Sequence, residues 1–407
     1  MLGCYRRYRL KYILIVGDGM ADYPLDELDG KTPLQAANTP NMDKLAREGI
    51  VGTAKTIPDG MLPGSDVANL AVMGYDPQRY YSGRAPLEAA SMGIRLEPDE
   101  TAFRCNLVTV ENGIMQDYSG GHISTTEAKG LIEAVDANLG NEEIRFHPGV
   151  SYRHLMVLKN DILPTCTPPH DITDKAIEPF LPQGSGAGML RELMFASCQV
   201  LEAHEINHQR VKQGKKPANM IWLWGYGKPI EMPTFQQRFG LSGGVISAVD
   251  LVRGIGRCAG LRSIDVPGIT GYYDTNYIGK AEYALDVLKN DDFVFIHIEA
   301  PDEASHNGDL KAKIKAIEDI DEKVLGTILK HIPDNTRILL LPDHETPIST
   351  KTHASGPVPF VMWGDGIKPD DSLSYDENSA QRSQLRFEAG WKILEYFIQG
   401  QRIQISA

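Results

Sequence analysis

Tyr12-Ile13-Leu14-Ile15-Val16-Gly17-Asp18-Gly19-Met20 opens with an unbroken apolar run and stops at a Gly-Asp-Gly turn. An apolar run without alternation reads as a strand buried on both faces, as in a parallel sheet covered by helices on each side. The same arrangement recurs downstream. Phe293–Ile298 runs into Glu299-Ala300-Pro301-Asp302, and Arg337–Leu341 runs into Pro342-Asp343-His344. Helix-like stretches separate these runs at Thr39–Glu48, Val245–Ala259, Tyr277–Lys289 and Lys311–His331. Strand alternating with helix predicts an α/β fold with a doubly wound, mostly parallel sheet.

The middle of the chain follows a different rule. Phe103–Val110 and Ile114–Asp117 flank Glu111-Asn112-Gly113, and Asn-Gly between two apolar runs predicts a hairpin. A helix is expected over Thr125–Leu139, loop over the Pro- and Gly-rich 164–188, and one long helix over Met189–Gln213. A smaller α+β domain is therefore expected to be inserted at 95–215, leaving 1–94 and 216–407 for the sheet domain. No internal repeat is present.

Composition sets the class. The chain has 407 residues, 42% of them hydrophobic and 23% charged, as in an ordinary globular protein of two domains. A formal net charge of -13 argues against nucleic acid or an anionic membrane as partner. An anionic substrate would need local cations, supplied by metals or clustered Arg. Cys4, Cys105, Cys166, Cys198 and Cys258 are scattered, odd in number and without a C-x-x-C pair, which suits reduced thiols in the cytoplasm. Arg6, Arg7, Arg9 and Lys11 precede a run too short for a signal peptide, Leu2-Gly3-Cys4 follows no apolar segment, and nothing approaches a membrane span. A soluble cytoplasmic protein is expected.

Ligands of open α/β sheets bind beyond the carboxyl ends of the strands. Asp18, Asp302 and the pair Asp343-His344 all stand at such ends. Asp302 and His306 are four apart and share a helical face, and His353 follows on a loop able to return to the site. Three Asp and three His form an oxygen and nitrogen set suited to Mn or Zn, with Mg possible at carboxylate-rich positions. Two such ions would clamp the attacking and leaving oxygens of a displacement at phosphorus. Ser65, in Pro63-Gly64-Ser65-Asp66, is the candidate nucleophile, at a helix start whose N–H groups would meet a phosphate. Its bland reading is a helix cap. Taken singly, Asp18 also reads as a turn residue and His306 as a surface histidine.

Two other motifs compete. His204-Glu205-Ile206-Asn207-His208 fits H-E-x-x-H on a predicted helix, the zinc-peptidase signature, but lacks the later Gly and third His of the extended form. Gly254-Ile255-Gly256 has the wrong spacing for a dinucleotide loop and fits close helix packing. No G-x-x-x-x-G-K-[ST] occurs, which weakens an ordinary ATP-dependent kinase reading. Trp222 and Trp224 lie on a probable strand.

Ile15–Ala21, Tyr81–Glu88, Phe103–Thr109, Trp222–Lys228, Gly244–Ile255, Gly271–Lys280, Ile298–Asp309 and Asp343–Phe360 together resemble the archaeal-type cofactor-independent phosphoglycerate mutases of the alkaline phosphatase superfamily. The resemblance implies an isomerase that interconverts 3-phosphoglycerate and 2-phosphoglycerate through a phosphoserine, using two divalent metals and no bisphosphoglycerate. Mn is the metal expected, with Zn, Mg or Co as alternatives. It implies one metal on Asp302, His306 and His353, and another on Asp18, Ser65, Asp343 and His344. It also implies that the inserted domain holds glycerate, with Arg84, Arg104, His122, Arg153, His154, Arg210 and Lys228 as candidates. Arg suits this because its planar fork binds both oxygens of a carboxylate or phosphate. Where archaeal members carry an Arg-rich stretch, this chain reads Asp117-Tyr118-Ser119-Gly120-Gly121-His122. A homoserine-kinase-like phosphotransferase is therefore the alternative. A small phosphorylated acid is the expected partner, and the protein is a monomer or homo-oligomer.

Overall fold

The computed structural model describes residues 9–399, so Cys4, Arg6 and Arg7 lie outside the described residues. The described residues form thirteen strands: β1 (Lys11–Gly17), β2 (Ile50–Ala54), β3 (Thr101–Glu111), β4 (Ile114–Asp117), β5 (Ile144–Val150), β6 (Arg153–Leu158), β7 (Met220–Gly227), β8 (Gly243–Ile246), β9 (Arg262–Ser263), β10 (Phe293–Ile298), β11 (Thr336–Leu341), β12 (Val358–Gly364) and β13 (Arg386–Phe387). The chain divides into two compact units, residues 1–81 with 231–407, and residues 82–230.

The larger unit is built on an eight-stranded sheet of order β13-β2-β12-β11-β1-β10-β8-β9. It is parallel except at β12, which runs antiparallel to both β11 and β2. The three apolar runs expected as strands are neighbours at its centre, β11-β1-β10. Ile13, Ile15, Val294, Ile296, Ile338 and Leu340 are fully buried in one core with side chains from the covering helices. Each such burial contributes roughly 1.5–3 kcal/mol relative to exposure, which fixes the register of these strands. All three parallel strands consequently end at one edge, where Asp18, Asp302 and Asp343 begin the connections.

Two helices depart from expectation. Val245–Ala259 is not one helix, because its start belongs to β8, buried between β10 and β9, and the helix covers only Asp250–Cys258. There Gly256 allows close packing, since a Cβ would stand 2.5 Å from a Val245 methyl carbon. The expected helix Lys311–His331 contains a π-helical turn at Ile320–Leu325. That turn presents the Asp321 carboxylate to the N–H groups of Asn41 and Met42, at 3.3 and 2.7 Å. It thereby satisfies the start of the Pro40–Glu48 helix, whose own Thr39 makes no side-chain cap.

The smaller unit carries a five-stranded sheet, β4-β3-β6-β5 with β7 also on β3. The hairpin forms where Asn-Gly predicts it, with Asn112 and Gly113 both left-handed at φ 50° and 74°. The Thr125–Leu139 helix has a capping box between Ser124 and Glu127. The unit extends beyond 95–215 at both ends because β7 is a strand of this sheet and the Arg84–Ser91 helix packs on β3 and β7. The long helix expected over Met189–Gln213 is two, Ala187–Glu202 and Glu205–Lys212, broken at Ala203-His204. Cys105, Cys166, Cys198 and Cys258 are unpaired. No helix among the described residues is long and apolar enough to cross a membrane.

Candidate functional site

Parallel strands deliver their loops to one end of the sheet, and the larger unit brings all seven candidate residues together there. Asp302 lies in the first turn of the Ala300–Asn307 helix that follows β10, and His306 one turn on. Nε2 of His306 stands 3.1 Å from Oδ2 of Asp302, and Nε2 of His353 stands 3.6 Å from Oδ1. The two imidazole Nε2 atoms are 3.0 Å apart. Nδ1 of His306 is 2.9 Å from the carbonyl of Lys351, which only accepts, so this nitrogen carries the proton and Nε2 faces the cluster. This group opens outward, with His306 35% and His353 20% exposed.

A second group lies deeper. His344, fully buried, places Nε2 3.5 Å from both Asp18 Oδ1 and Asp343 Oδ2. Ser65 Oγ lies 3.2 Å from the same nitrogen. Ser65 is not a cap: Gly64 occupies that position, and Ser65 begins the helix Ser65–Val72 with its hydroxyl turned to the centre. Asp343 is held by the N–H groups of Gly19 and His344 and by Nδ2 of Asn69, at 3.2, 2.9 and 2.8 Å.

The electrostatics call for cations. Burial, reinforced by Asp343, Glu299 and Asp302, pushes the Asp18 carboxyl well above its usual range. Both Asp18 oxygens are buried without a hydrogen-bond partner. Burial pushes Glu299 the same way, to about 8. Burial also acts to raise Asp302, but hydrogen bonds from His306 and His353 hold it well below the carboxylate range. Clustered carboxylates and imidazoles with orphaned buried oxygens are the chemistry of a divalent metal site. Among the described residues three groups each bring their ligand atoms within 4.8 Å of one another: Asp302 with His306 and His353, Asp18 with Asp302 and His344, and Asp18 with His297 and Asp343.

His297, Asn69, Glu299 and Thr346 are the residues that sequence reasoning missed. His297 sits inside β10, fully buried, with Nε2 3.0 Å from Asp18 Oδ2. A lone imidazole in an otherwise apolar run was the signal available. Burial holds its pKa down to about 3, so the ring is neutral.

The candidates in the smaller unit separate into two kinds. Arg84, His122 and Arg153 are exposed, with His122 left-handed at φ 49°. Arg104 pairs with Glu88 at 3.0 Å and stacks 4.1 Å over the Trp224 ring, while Lys228 pairs with Asp161 at 2.9 Å. His154 and Arg210 differ from expectation, since both are buried. His154 Nδ1 accepts from the N–H of Gly149, and burial lowers its pKa to about 3. Arg210 donates to the carbonyls of Lys216, Gly120 and Gly121 and to Glu127, bracing the turn that carries His122. The H-E-x-x-H reading fails on geometry: His204 caps the Glu205–Lys212 helix, its Nδ1 accepting from the N–H of Ile206, so the two histidines do not share a helical face.

Residues 46–207 match the family model described as 2,3-bisphosphoglycerate-independent phosphoglycerate mutase. A Methanosarcina barkeri protein of that name is 54% identical over 382 residues, covering 92% of this chain and 96% of its own length. The chain belongs to this family. A Geobacter sulfurreducens member named as a probable mutase of the same kind is 52% identical over 397 residues, 96% of this chain and all of its own. The solved cofactor-independent phosphoglycerate mutase from Thermoplasma acidophilum superposes with a TM-score of 0.69 at 28% identity, covering 96% of this chain and 99% of its own. A Pyrococcus horikoshii structure reaches a TM-score of 0.83 at 32% identity, covering 98% of this chain and all of its own. The mutase family therefore accounts for both units of the chain.

Proposed function

We propose that this member is an isomerase interconverting 3-phosphoglycerate and 2-phosphoglycerate without bisphosphoglycerate, with Ser65 carrying the phosphoryl group between the two oxygens. The observation that carries this reading is the Ser65 hydroxyl at a helix start, 3.2 Å from His344 Nε2 and beside two clusters of metal-type ligands. Asp302, His306 and His353 would hold one divalent ion, and Asp18, Ser65, Asp343 and His344 the other. When bound, these ions would lower the pKa of the serine hydroxyl and offset phosphate charge. Mn suits the mixed oxygen and nitrogen set, with Zn, Co or Mg as alternatives.

In the forward half, Ser65 Oγ loses its proton and bonds to phosphorus as the bond to the glycerate 3-oxygen breaks, and that oxygen gains a proton. In the return half, the glycerate 2-oxygen loses a proton and takes the phosphoryl group as the Ser65 bond breaks and its hydroxyl is restored. No proton or cofactor is consumed overall. The positive end of the Ser65–Val72 helix dipole favours the phosphoserine. Glycerate is held in this reading by the smaller unit, through Arg84, Arg153 and the stacked Arg104, with His122 and Lys228 as further candidates. Unpaired cysteines accord with a cytoplasmic setting.

Phosphorus NMR of purified protein with Mn and 3-phosphoglycerate, without ATP or bisphosphoglycerate, tests the reading. A 2-phosphoglycerate resonance is expected. No such resonance, with ATP-dependent phosphorylation of homoserine instead, would replace it.

A further inference from the structure

A buried hydroxyl lies between residues assigned to the two different metals. Thr346 is fully buried, two residues beyond His344, and its backbone is fixed from both sides. Its N–H donates to the Ala21 carbonyl at 3.2 Å, and its own carbonyl accepts from Lys313 Nζ at 2.9 Å. Lys313 is itself locked by Asp22 at 2.7 Å. The side-chain oxygen, Oγ1, then has two neighbours, Asp302 Oδ1 at 2.6 Å and His344 Nδ1 at 3.1 Å.

Hydrogen-bond accounting leaves one arrangement. A threonine hydroxyl has a single proton, and the Asp302 carboxylate only accepts, so Thr346 donates to Asp302. The remaining contact requires His344 Nδ1 to be the donor. A neutral His344 therefore carries its proton on Nδ1 and presents the Nε2 lone pair to Asp18, Asp343 and Ser65. Space for this bridge depends on Gly19, where a Cβ would stand 2.6 Å from Oγ1 of Thr346 and 2.5 Å from Oδ1 of Asp302.

We infer that Thr346 is a positioning residue that couples the two metal sites, fixing the tautomer of His344 and the carboxylate orientation of Asp302 through one hydroxyl. The inference rests on the ligand groups proposed above. Groups that orient ligands in this way typically contribute 10–100-fold in metal affinity.

Mn2+ titration of metal-free protein, read by the electron paramagnetic resonance of free Mn2+, tests it in the parent, Thr346→Val and Thr346→Ser. Val keeps the shape and removes the hydroxyl. Two sites are expected in the parent, affinity weakened at least about 10-fold in Thr346→Val, and near-parental affinity in Thr346→Ser. Circular dichroism and thermal unfolding of the metal-free forms check that the fold is kept. Parental Mn2+ affinity in Thr346→Val would overturn the inference. A parent that takes up fewer than two ions would instead overturn the assignment of the ligand groups. Should the Val form not fold, long-range proton–nitrogen NMR of metal-free parent labelled at histidine decides the point. The Nδ1–H tautomer at His344 supports the inference, and the Nε2–H tautomer overturns it.

Discussion

Nε2 of His306 lies 3.0 Å from Nε2 of His353, with the Asp302 carboxylate against both. With Nδ1 of His306 donating to the Lys351 carbonyl, His306 turns Nε2 toward Asp302 and His353, a carboxylate and imidazole set that a divalent cation would satisfy in place of a proton. Metal is accordingly expected to stabilise the fold as well as to support activity. An ion at 100 times its dissociation constant adds about 2.7 kcal/mol. Scanning calorimetry should show a lower Tm after chelation, restored by Mn2+, and a smaller restoration in His353→Ala. A Tm unmoved by chelation would remove the metal centre.

Removing the nucleophile separates chemistry from metal holding. Ser65→Ala should reduce mutase turnover by at least about 1000-fold, the scale seen when an acting nucleophile is deleted. Asp302, His306 and His353 are untouched by that change, so one Mn2+ should still bind with parental affinity. Retained turnover would require another acceptor for the phosphoryl group.

Gly19 makes a sharper geometric test. A Cβ there meets Oδ1 of Asp302 at 2.5 Å and the Asp302 Cα at 2.9 Å, on a left-handed backbone at φ 59°. Gly60 has a similar φ of 84° with nothing within 4 Å, so it isolates the cost of the backbone alone. Gly60→Ala should cost about 1 kcal/mol and leave activity intact. Gly19→Ala should lose a further 1–3 kcal/mol, roughly, and most of its Mn2+ affinity, because overpacking displaces a ligand. Equal behaviour of the two variants in urea unfolding and Mn2+ titration would refute the crowding described at Gly19.

The loops that carry the candidate metal ligands were legible because their cause is global. A strand buried on both faces must be largely apolar, so the acidic residues just beyond each run mark the sheet edge, as at Asp18, Glu299 with Asp302, and Asp343. Ser65 was legible as a position but not in its orientation: Pro63-Gly64-Ser65 looks the same whether the hydroxyl caps its own helix or turns toward His344. Thr346 and Asn69 carried no signal, since a hydroxyl in a loop and an amide in a helix are ordinary until their partners, hundreds of residues away for Asn69, are known. The break at His204 was hidden by helix-favouring neighbours on both sides, with the competing cap bond to Ile206 visible only in three dimensions. Arg210 was misplaced for the reverse reason, because a charged residue is presumed exposed until its carbonyl partners appear.

The smaller unit should report acid through His154. Its ring is buried on β6, Nδ1 accepts from Gly149, and burial lowers its folded pKa from 6.5 to about 3. Between those values the unfolded chain binds a proton that the folded chain refuses, so stability falls as pH falls. The contribution is fully present above pH 6.5 and is lost progressively toward 3. At pH 5 the loss from this group amounts to about 2 kcal/mol, taking ~1.4 kcal/mol per pH unit below the unfolded pKa. His154→Asn retains an acceptor for the Gly149 N–H but cannot take up a proton. Urea unfolding of parent and variant at pH 7.5 and pH 5 is therefore expected to give a smaller pH-dependent loss in the variant by that amount, whatever the variant's absolute stability. Identical losses in the two proteins would show that His154 protonates freely in the folded state, contrary to its burial.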